Sequence, residues 1–175
     1  MKTLADYIRS IPDHPKPGII FRDITPLIES KEGFAESIDQ LEKKCRDLGP
    51  IDIVAAPEAR GFIFGAPLAM RLGAGFVPLR KPGKLPCKTV SVSYSLEYGT
   101  DELQMHVDSV KPGDRVLLLD DLLATGGTIE AAGRLIEQNG GTVAGCAFVI
   151  ELVDLNGRTR LNNRNVISLI TFEGE

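Results

Sequence analysis

Four apolar residues in a row, Val116-Leu117-Leu118-Leu119, run straight into two carboxylates, Asp120 and Asp121. No polar residue alternates with the apolar ones. A strand reads this way when both of its faces are buried, as in a parallel sheet covered by helices. The acidic pair is followed by Leu122-Leu123-Ala124-Thr125-Gly126-Gly127-Thr128 and then a helical pattern. The stretch therefore reads as strand, acidic pair, glycine loop and helix.

Each part of that stretch has a chemical use. Gly126 and Gly127 allow positive φ and free their N–H groups. With the first amides of the following helix, these make an anion site suited to a phosphate. Thr125 and Thr128 add hydroxyls. Asp120 and Asp121 would repel a phosphate, but suit vicinal hydroxyls, or a metal through water. A ribose 5-phosphate satisfies both halves.

The rest of the chain repeats the strand-to-loop pattern. A short helix over 3–9 precedes a segment broken by Pro12, Pro15, Pro17 and Gly18, then Ile19 to Pro26, a brief apolar run suited to a lid or an edge strand. Phe34, Ile38, Leu41 and Cys45 share one face of a helix over 33–46. Ile51 to Ala56 reads as a buried strand. It ends in Pro57-Glu58-Ala59-Arg60-Gly61-Phe62, with a helix to about Leu72. Gly75 to Leu79 is a further strand, followed by the basic loop Arg80-Lys81-Pro82-Gly83-Lys84-Leu85-Pro86. Val90, Val92 and Tyr94 alternate with polar residues, as do Leu103, Met105 and Val107, so two half-exposed strands form an antiparallel extension. His106 falls on the polar face and reads as a surface histidine. Residues 128–139 form a helix capped by Thr128, 142–152 a buried strand, and 166–170 the last strand.

Ligands in open α/β sheets bind at the carboxyl ends of strands. Three loops of suitable chemistry fall at such ends here, and they converge on a phosphorylated sugar that also bears a polyphosphate. The net charge of −4 disfavours non-specific nucleic-acid binding. Three scattered cysteines, Cys45, Cys87 and Cys146, have neither disulfide nor metal spacing and point to a reducing compartment. With no signal-peptide pattern and no apolar span of about 20 residues, the expectation is a soluble cytoplasmic protein.

The Asp120–Thr128 loop resembles the phosphoribosyl pyrophosphate motif of the type I phosphoribosyltransferases. Four more segments resemble the adenine-specific branch of that family, in order and spacing: Pro17 to Pro26, Glu58 to Phe62, Arg80 to Pro86, and Tyr94-Ser95-Leu96-Glu97-Tyr98-Gly99. Together they cover about residues 4 to 170. The resemblance implies an α/β fold: a Rossmann-like, mainly parallel twisted sheet flanked by helices, in one domain over 1–175. A small N-terminal hood, about 1–32, would lie over the active site of a core at about 33–175.

The resemblance also implies a reaction, in which adenine and phosphoribosyl pyrophosphate give AMP and pyrophosphate with Mg2+, in a homodimer. Glu97, Arg60 and Lys84 become the catalytic candidates, with Glu97 managing the purine's proton. Ala124, Thr125, Gly126, Gly127 and Thr128 would hold the 5-phosphate, and Asp120 and Asp121 the ribose hydroxyls. Glu58, Ala59, Arg60, Arg80, Lys81 and Lys84 would meet the pyrophosphate. Ile20, Phe21 and Arg22 would form the base pocket, with Leu152 opposite. Mg2+ would be held by substrate oxygens and water, near Asp120 and Asp121, with no direct protein ligand. Ala59 stands where many relatives carry Ser or Thr, and a non-proline cis peptide is implied near Glu58-Ala59. Two other readings stay open: an enzyme for hypoxanthine, guanine or xanthine, and a non-catalytic sensor of phosphoribosyl pyrophosphate.

Overall fold

The computed structural model describes residues 2–95, 99–161 and 164–174. The central sheet has five strands: β3 (Ile53–Pro57), β4 (Gly75–Leu79), β7 (Arg115–Leu123), β8 (Thr142–Leu152) and β9 (Val166–Phe172). Their order is β4-β3-β7-β8-β9, and every neighbouring pair is parallel. The apolar run that constrained the fold is β7, at the centre.

Its side chains alternate between two cores. Val116 and Leu118 join Ala55, Cys146 and Phe148 on one face, with Leu135 and Ile136 of helix α4 (Gly127–Gln138). Leu117 and Leu119 join Val54, Ala147 and Val149 on the other. There they meet Leu41 of α2 (Lys31–Cys45) and Phe64 and Leu68 of α3 (Arg60–Leu72). Both faces are thus dry, which is why the strand carries no polar alternation. Burial also pushes the Cys45 and Cys146 thiols up to about 12, so both behave as small apolar residues.

Helix α3 returns the chain outward to β4, while α4 leads the other way, from β7 to β8. Strand order therefore reverses between β3 and β7, and a crevice opens beyond their carboxyl ends. Two glycines let α3 lie close there. A Cβ on Gly65 would sit 2.8 Å from the Phe76 ring, and one on Gly61 would sit 3.1 Å from Asp120 Oδ1.

The N-terminal residues build the hood. Strands β1 (Arg9–Ile11) and β2 (Phe21–Asp23) pair antiparallel, and a short helix α1 (Thr25–Glu29), which the sequence reading did not separate, follows. Residues 4–7 form a 3-10 turn rather than an α-helix; the Thr3 amide and hydroxyl both donate to Asp6 Oδ2, at 2.7 and 2.9 Å.

Three further expectations are corrected. Strands β5 (Thr89–Ser95) and β6 (Thr100–His106) do pair, from Thr89↔His106 to Ser95↔Thr100, but they form a separate two-stranded sheet. It packs Val92, Tyr94, Leu103 and Met105 into the α4-side core with Val77 and Leu79 of β4, and an Arg80↔Gln104 bridge joins it to the chain just after β4. Val107 lies beyond β6 and is exposed, and His106 is half-buried with Nε2 enclosed and without a hydrogen-bond partner among the described residues. Thr128 does not cap α4: Gly126, at φ +82°, takes that place, so Thr128 lies within the first turn. A left-handed residue is needed to swing the chain out of β7, and glycine adopts it without strain.

Candidate active site

Beyond the ends of β3 and β7 lies a cavity of about 220 Å³. Its walls are Pro57, Glu58, Ala59 and Arg60 from the β3 end, Asp120 and Asp121 from the β7 end, Thr128 from α4, Lys81 from the basic loop, and Tyr94, Asp101 and Leu103 from the β5–β6 hairpin. A larger groove of about 700 Å³ runs between the N-terminal turn, α2 and β9, but contains none of the expected site residues.

The first wall turns on a cis peptide between Glu58 and Ala59. Arg60, the first residue of α3, faces Asp121, with Nε 3.0 Å from Oδ2. That Oδ2 is buried and accepts no aligned hydrogen bond among the described residues. Behind Arg60, Glu58 Oε1 accepts from Arg80 Nε at 3.2 Å and from the Lys81 amide at 2.5 Å. Burial pushes the Glu58 carboxyl up, but these donors outweigh it and hold it below its ordinary value. Lys81 in turn reaches the Asp101 carboxylate. Each of these three cations thus meets a carboxylate.

The acidic pair sits differently. Asp120 Oδ1 accepts from the Asp121 amide at 2.9 Å. Burial, then the neighbouring Asp121 charge, pushes Asp120 well above the ordinary carboxylate range. Burial also raises Asp121, against the opposing pull of Arg60. Two adjacent carboxylates in a dry crevice gain most from a positive charge placed beside them.

The glycine loop is held from below. The segment after β8 forms 3-10 turns over Val153–Leu155 and Gly157–Leu161. A Cβ on Gly126 would lie 2.6 Å from the Gly157 carbonyl oxygen. One on Gly157 would lie 2.8 Å from Leu123 Cδ1 and closer still to the Ala124 oxygen. Two backbones are in contact, and glycine is required on each side. The segment is tied down by Arg158, which grips buried Glu151 with two hydrogen bonds of 2.6 Å. Those bonds, with one from Ser168, hold the Glu151 carboxyl below its ordinary range despite burial.

Seven expected residues therefore share one cavity: Glu58, Ala59, Arg60, Lys81, Asp120, Asp121 and Thr128. Ala124 to Gly127 continue the same loop. Arg80 lies behind, on Glu58, and Lys84 is exposed on the basic loop, near enough to favour the Glu58 charge. Glu97 lies outside the described residues. The hood residues stand apart from the cavity walls. Arg22 is buried, with Nη1 donating to Ser10 Oγ at 2.7 Å and its guanidinium 4.0 Å from the Phe172 ring centre. Its side chain ties the hood to β9. The Phe21 ring centre lies 5.9 Å from the Arg60 guanidinium and 5.3 Å from His14, edge to face. Ile20 is half-buried beside it in sequence, and Leu152 is buried at the end of β8.

The sequence reading passed over Tyr94 and Asp101. One signal was available: Asp101 shares the inward face of β6 with Leu103 and Met105, and a carboxylate there needs a partner. Arg160 was passed over too; its Nη1 would lie 3.2 Å from a Cβ on Gly127.

Among the described residues no three ligating side chains converge to hold a metal. The donors at the cavity are four carboxylates, Glu58, Asp101, Asp120 and Asp121, of which three already face cations. Carboxylate oxygens are the donor type that a hard cation such as Mg2+ takes, directly or through water. None of the described helices is long and apolar enough to cross a membrane.

The model of a family described as "Phosphoribosyl transferase domain" matches residues 27–173. An adenine phosphoribosyltransferase of Rhodopirellula baltica is 57% identical over 172 residues, covering 98% of this chain and 83% of that protein. Among solved structures, the adenine phosphoribosyltransferase of Thermoanaerobacter pseudethanolicus aligns with a TM-score of 0.91 at 56% identity, covering 95% of this chain and 96% of its own. That of Saccharomyces cerevisiae, complexed with an imino-altritol bisphosphate and adenine, aligns with a TM-score of 0.89 at 38% identity, covering 93% and 94%.

Proposed function

The chain belongs to the phosphoribosyltransferase family, in its adenine branch, and on that premise we propose how its cavity carries out the reaction. It transfers the 5-phosphoribosyl group from phosphoribosyl pyrophosphate to adenine, giving AMP and pyrophosphate. One observation carries the assignment of ends: cations stand at one wall of the cavity, Arg60 and Lys81, and the acidic pair with the start of α4 at the other.

Breaking the bond at C1 of the ribose leaves positive charge on the sugar and negative charge on the departing pyrophosphate. No covalent nucleophile is required, so catalysis is positioning and electrostatics. The amides and hydroxyls of Ala124 to Thr128 hold the 5-phosphate at the first turn of α4. Asp120 and Asp121 accept from the ribose hydroxyls. Burial disfavours their charge in the free protein, so the positive charge developing on the sugar relieves an existing penalty. Arg60, Ala59 and Lys81, with Arg80 and Lys84 from the loop, receive the pyrophosphate. Glu97 is placed by its motif to take or return the purine's ring proton. Ile20, Phe21 and Arg22 hold the base from the hood, with Leu152 opposite. Asp120 and Asp121 would hold Mg2+ through water and substrate oxygens, and it would supply neutralisation of phosphate charge there.

The three unpaired cysteines support a reducing, cytoplasmic setting.

The test is turnover of adenine and phosphoribosyl pyrophosphate, with and without Mg2+, in the wild type, Asp121→Asn and Glu97→Gln. The expected result is metal-dependent turnover, lost in Asp121→Asn and cut by about 100-fold or more in Glu97→Gln. Faster turnover of hypoxanthine than adenine would overturn the substrate, and a fully active Glu97→Gln the acid–base role.

A further inference from the structure

Lys81 enters the cavity from a loop that offers little to hold its side chain. Pro82, Gly83 and Lys84, which follow, are exposed, and Gly83 turns the chain at φ +76°. A lysine in such a place has many rotamers to lose on meeting a ligand. Its ammonium is nevertheless fixed. It donates to Asp101 Oδ2 and, at 3.4 Å, to the Tyr94 hydroxyl. Tyr94 donates its own proton to the same Asp101 Oδ2 at 3.2 Å. The other oxygen, Oδ1, accepts from the Glu102 amide at 2.8 Å.

The holders are rigid. Tyr94 and Asp101 face each other across β5 and β6, and Tyr94 is buried among the core residues of that hairpin. An ammonium has three donors. Two are taken by Asp101 and Tyr94, and among the described residues the third is left for an anion in the cavity that all three residues line.

We propose that Asp101, supported by Tyr94, is a positioning residue for the pyrophosphate end of the substrate: it holds Lys81 extended into the cavity with one donor free for a phosphate oxygen. The inference rests on the reading that Arg60 and Lys81 meet the pyrophosphate. It differs from a purely structural ion pair, because it ties Asp101 to one substrate and not to the other. It also differs from competition, in which a carboxylate would occupy Lys81 until phosphate displaced it.

The test measures pyrophosphate binding by calorimetry in Mg2+ buffer, together with KM for both substrates. The variants are Asp101→Asn, Tyr94→Phe, Lys81→Met and the Asp101→Asn/Lys81→Met double. Asp101→Asn should weaken pyrophosphate binding and raise KM for phosphoribosyl pyrophosphate about tenfold, with KM for adenine within about twofold. Tyr94→Phe should show about a threefold effect in the same direction, and the double variant should be no worse than Lys81→Met alone. Unchanged or tighter pyrophosphate binding in Asp101→Asn, alongside a loss in Lys81→Met, overturns the positioning role and leaves the pyrophosphate reading standing. No loss in Lys81→Met overturns that reading itself. Should Asp101→Asn melt below the assay temperature, Tyr94→Phe decides: an unchanged KM for phosphoribosyl pyrophosphate sinks the proposal.

Discussion

Replacing Gly157 by Ala probes the support of the 5-phosphate loop without touching any ligand-facing group. The added methyl would stand 2.8 Å from Leu123 Cδ1, and the Ala124 carbonyl oxygen would be nearer still. Ordinary contact begins at about 3.4 Å and the carbonyl oxygen would lie well inside it, so the two backbones must part by about 1.1 Å. The leucine tip can turn aside, but the carbonyl oxygen belongs to the loop backbone. Overpacking of this kind costs about 1–3 kcal/mol. For a chain of this size that is a fall in Tm of roughly 2–4 °C per kcal/mol. The functional effect is larger in proportion. A shift of about 1.1 Å takes a hydrogen bond of about 2.9 Å to about 4.0 Å, beyond its range. Losing one charge-assisted bond to the phosphate weakens binding by about 1.5–3 kcal/mol, or roughly 10- to 100-fold. Calorimetry with AMP and with adenosine separates the phosphate from the nucleoside. AMP should lose that factor while adenosine changes little. Gly75→Ala is the control, since its nearest neighbour would be 3.7 Å away. Unchanged AMP affinity together with unchanged Tm in Gly157→Ala would refute the idea that this contact shapes the loop.

Asp120→Asn should raise stability while abolishing turnover. Folding raises the Asp120 pKa, so its penalty is absent below the ordinary value of 3.8 and grows as pH rises through the folded value. At pH 7 the neutral amide should gain about 0.5–2 kcal/mol in thermal unfolding, and the gain should vanish near pH 3.5; a variant less stable at pH 7 would contradict this. Arg158→Met should act oppositely, leaving the Glu151 carboxylate buried and unpaired. Folding lowers the Glu151 pKa, so the pair stabilises above the ordinary value of 4.5 and loses its effect as pH falls below it. Because Arg158 is half exposed, about 2 kcal/mol is expected at pH 7, read by denaturant unfolding, with little difference from wild type near pH 3.

How much of this was legible in the chain depended on how local the signal was. All five strands of the central sheet were read from bounded apolar runs: β3, β7 and β8 are buried on both faces and say so in their own residues, while the half-buried edge strands β4 and β9 are short apolar runs between turn or polar segments. The Asp120–Thr128 loop was legible for the same reason: strand, acids, glycines and helix are contiguous. What failed was relational. The start of α4 was assigned to Thr128 on capping preference, whereas the turn geometry required a positive φ two residues earlier, at Gly126. The partner of Phe21–Asp23 was missed because β1 is three residues long and its pairing spans the proline segment. Tyr94 and Asp101 were seen as parts of alternating strands, but their meeting with Lys81 depends on a hairpin register and on where β4 delivers its loop.

The same relational geometry explains how an acidic protein builds a site for polyanions. Arg60 faces Asp121, Arg80 faces Glu58, and Lys81 faces Asp101, so three cations are matched by three carboxylates, and Asp120, whose charge burial disfavours, adds a fourth acidic group. A cavity with that balance has no long-range pull on bare pyrophosphate. What it offers is direction. The pairing fixes where each cation points, and fixed donors cost no reorganisation when charge develops on the leaving group. The carboxylates behind them serve at once as holders of those donors and, at Asp120 and Asp121, as the negative counterpart to the sugar. A wall of free lysines would attract the substrate more strongly but would have to be ordered on each binding event. Placing the cations on carboxylates at the ends of β3, β4 and the β5–β6 hairpin trades attraction for preorganisation, and it is the strand reversal between β3 and β7 that puts the two halves of this charge pattern face to face.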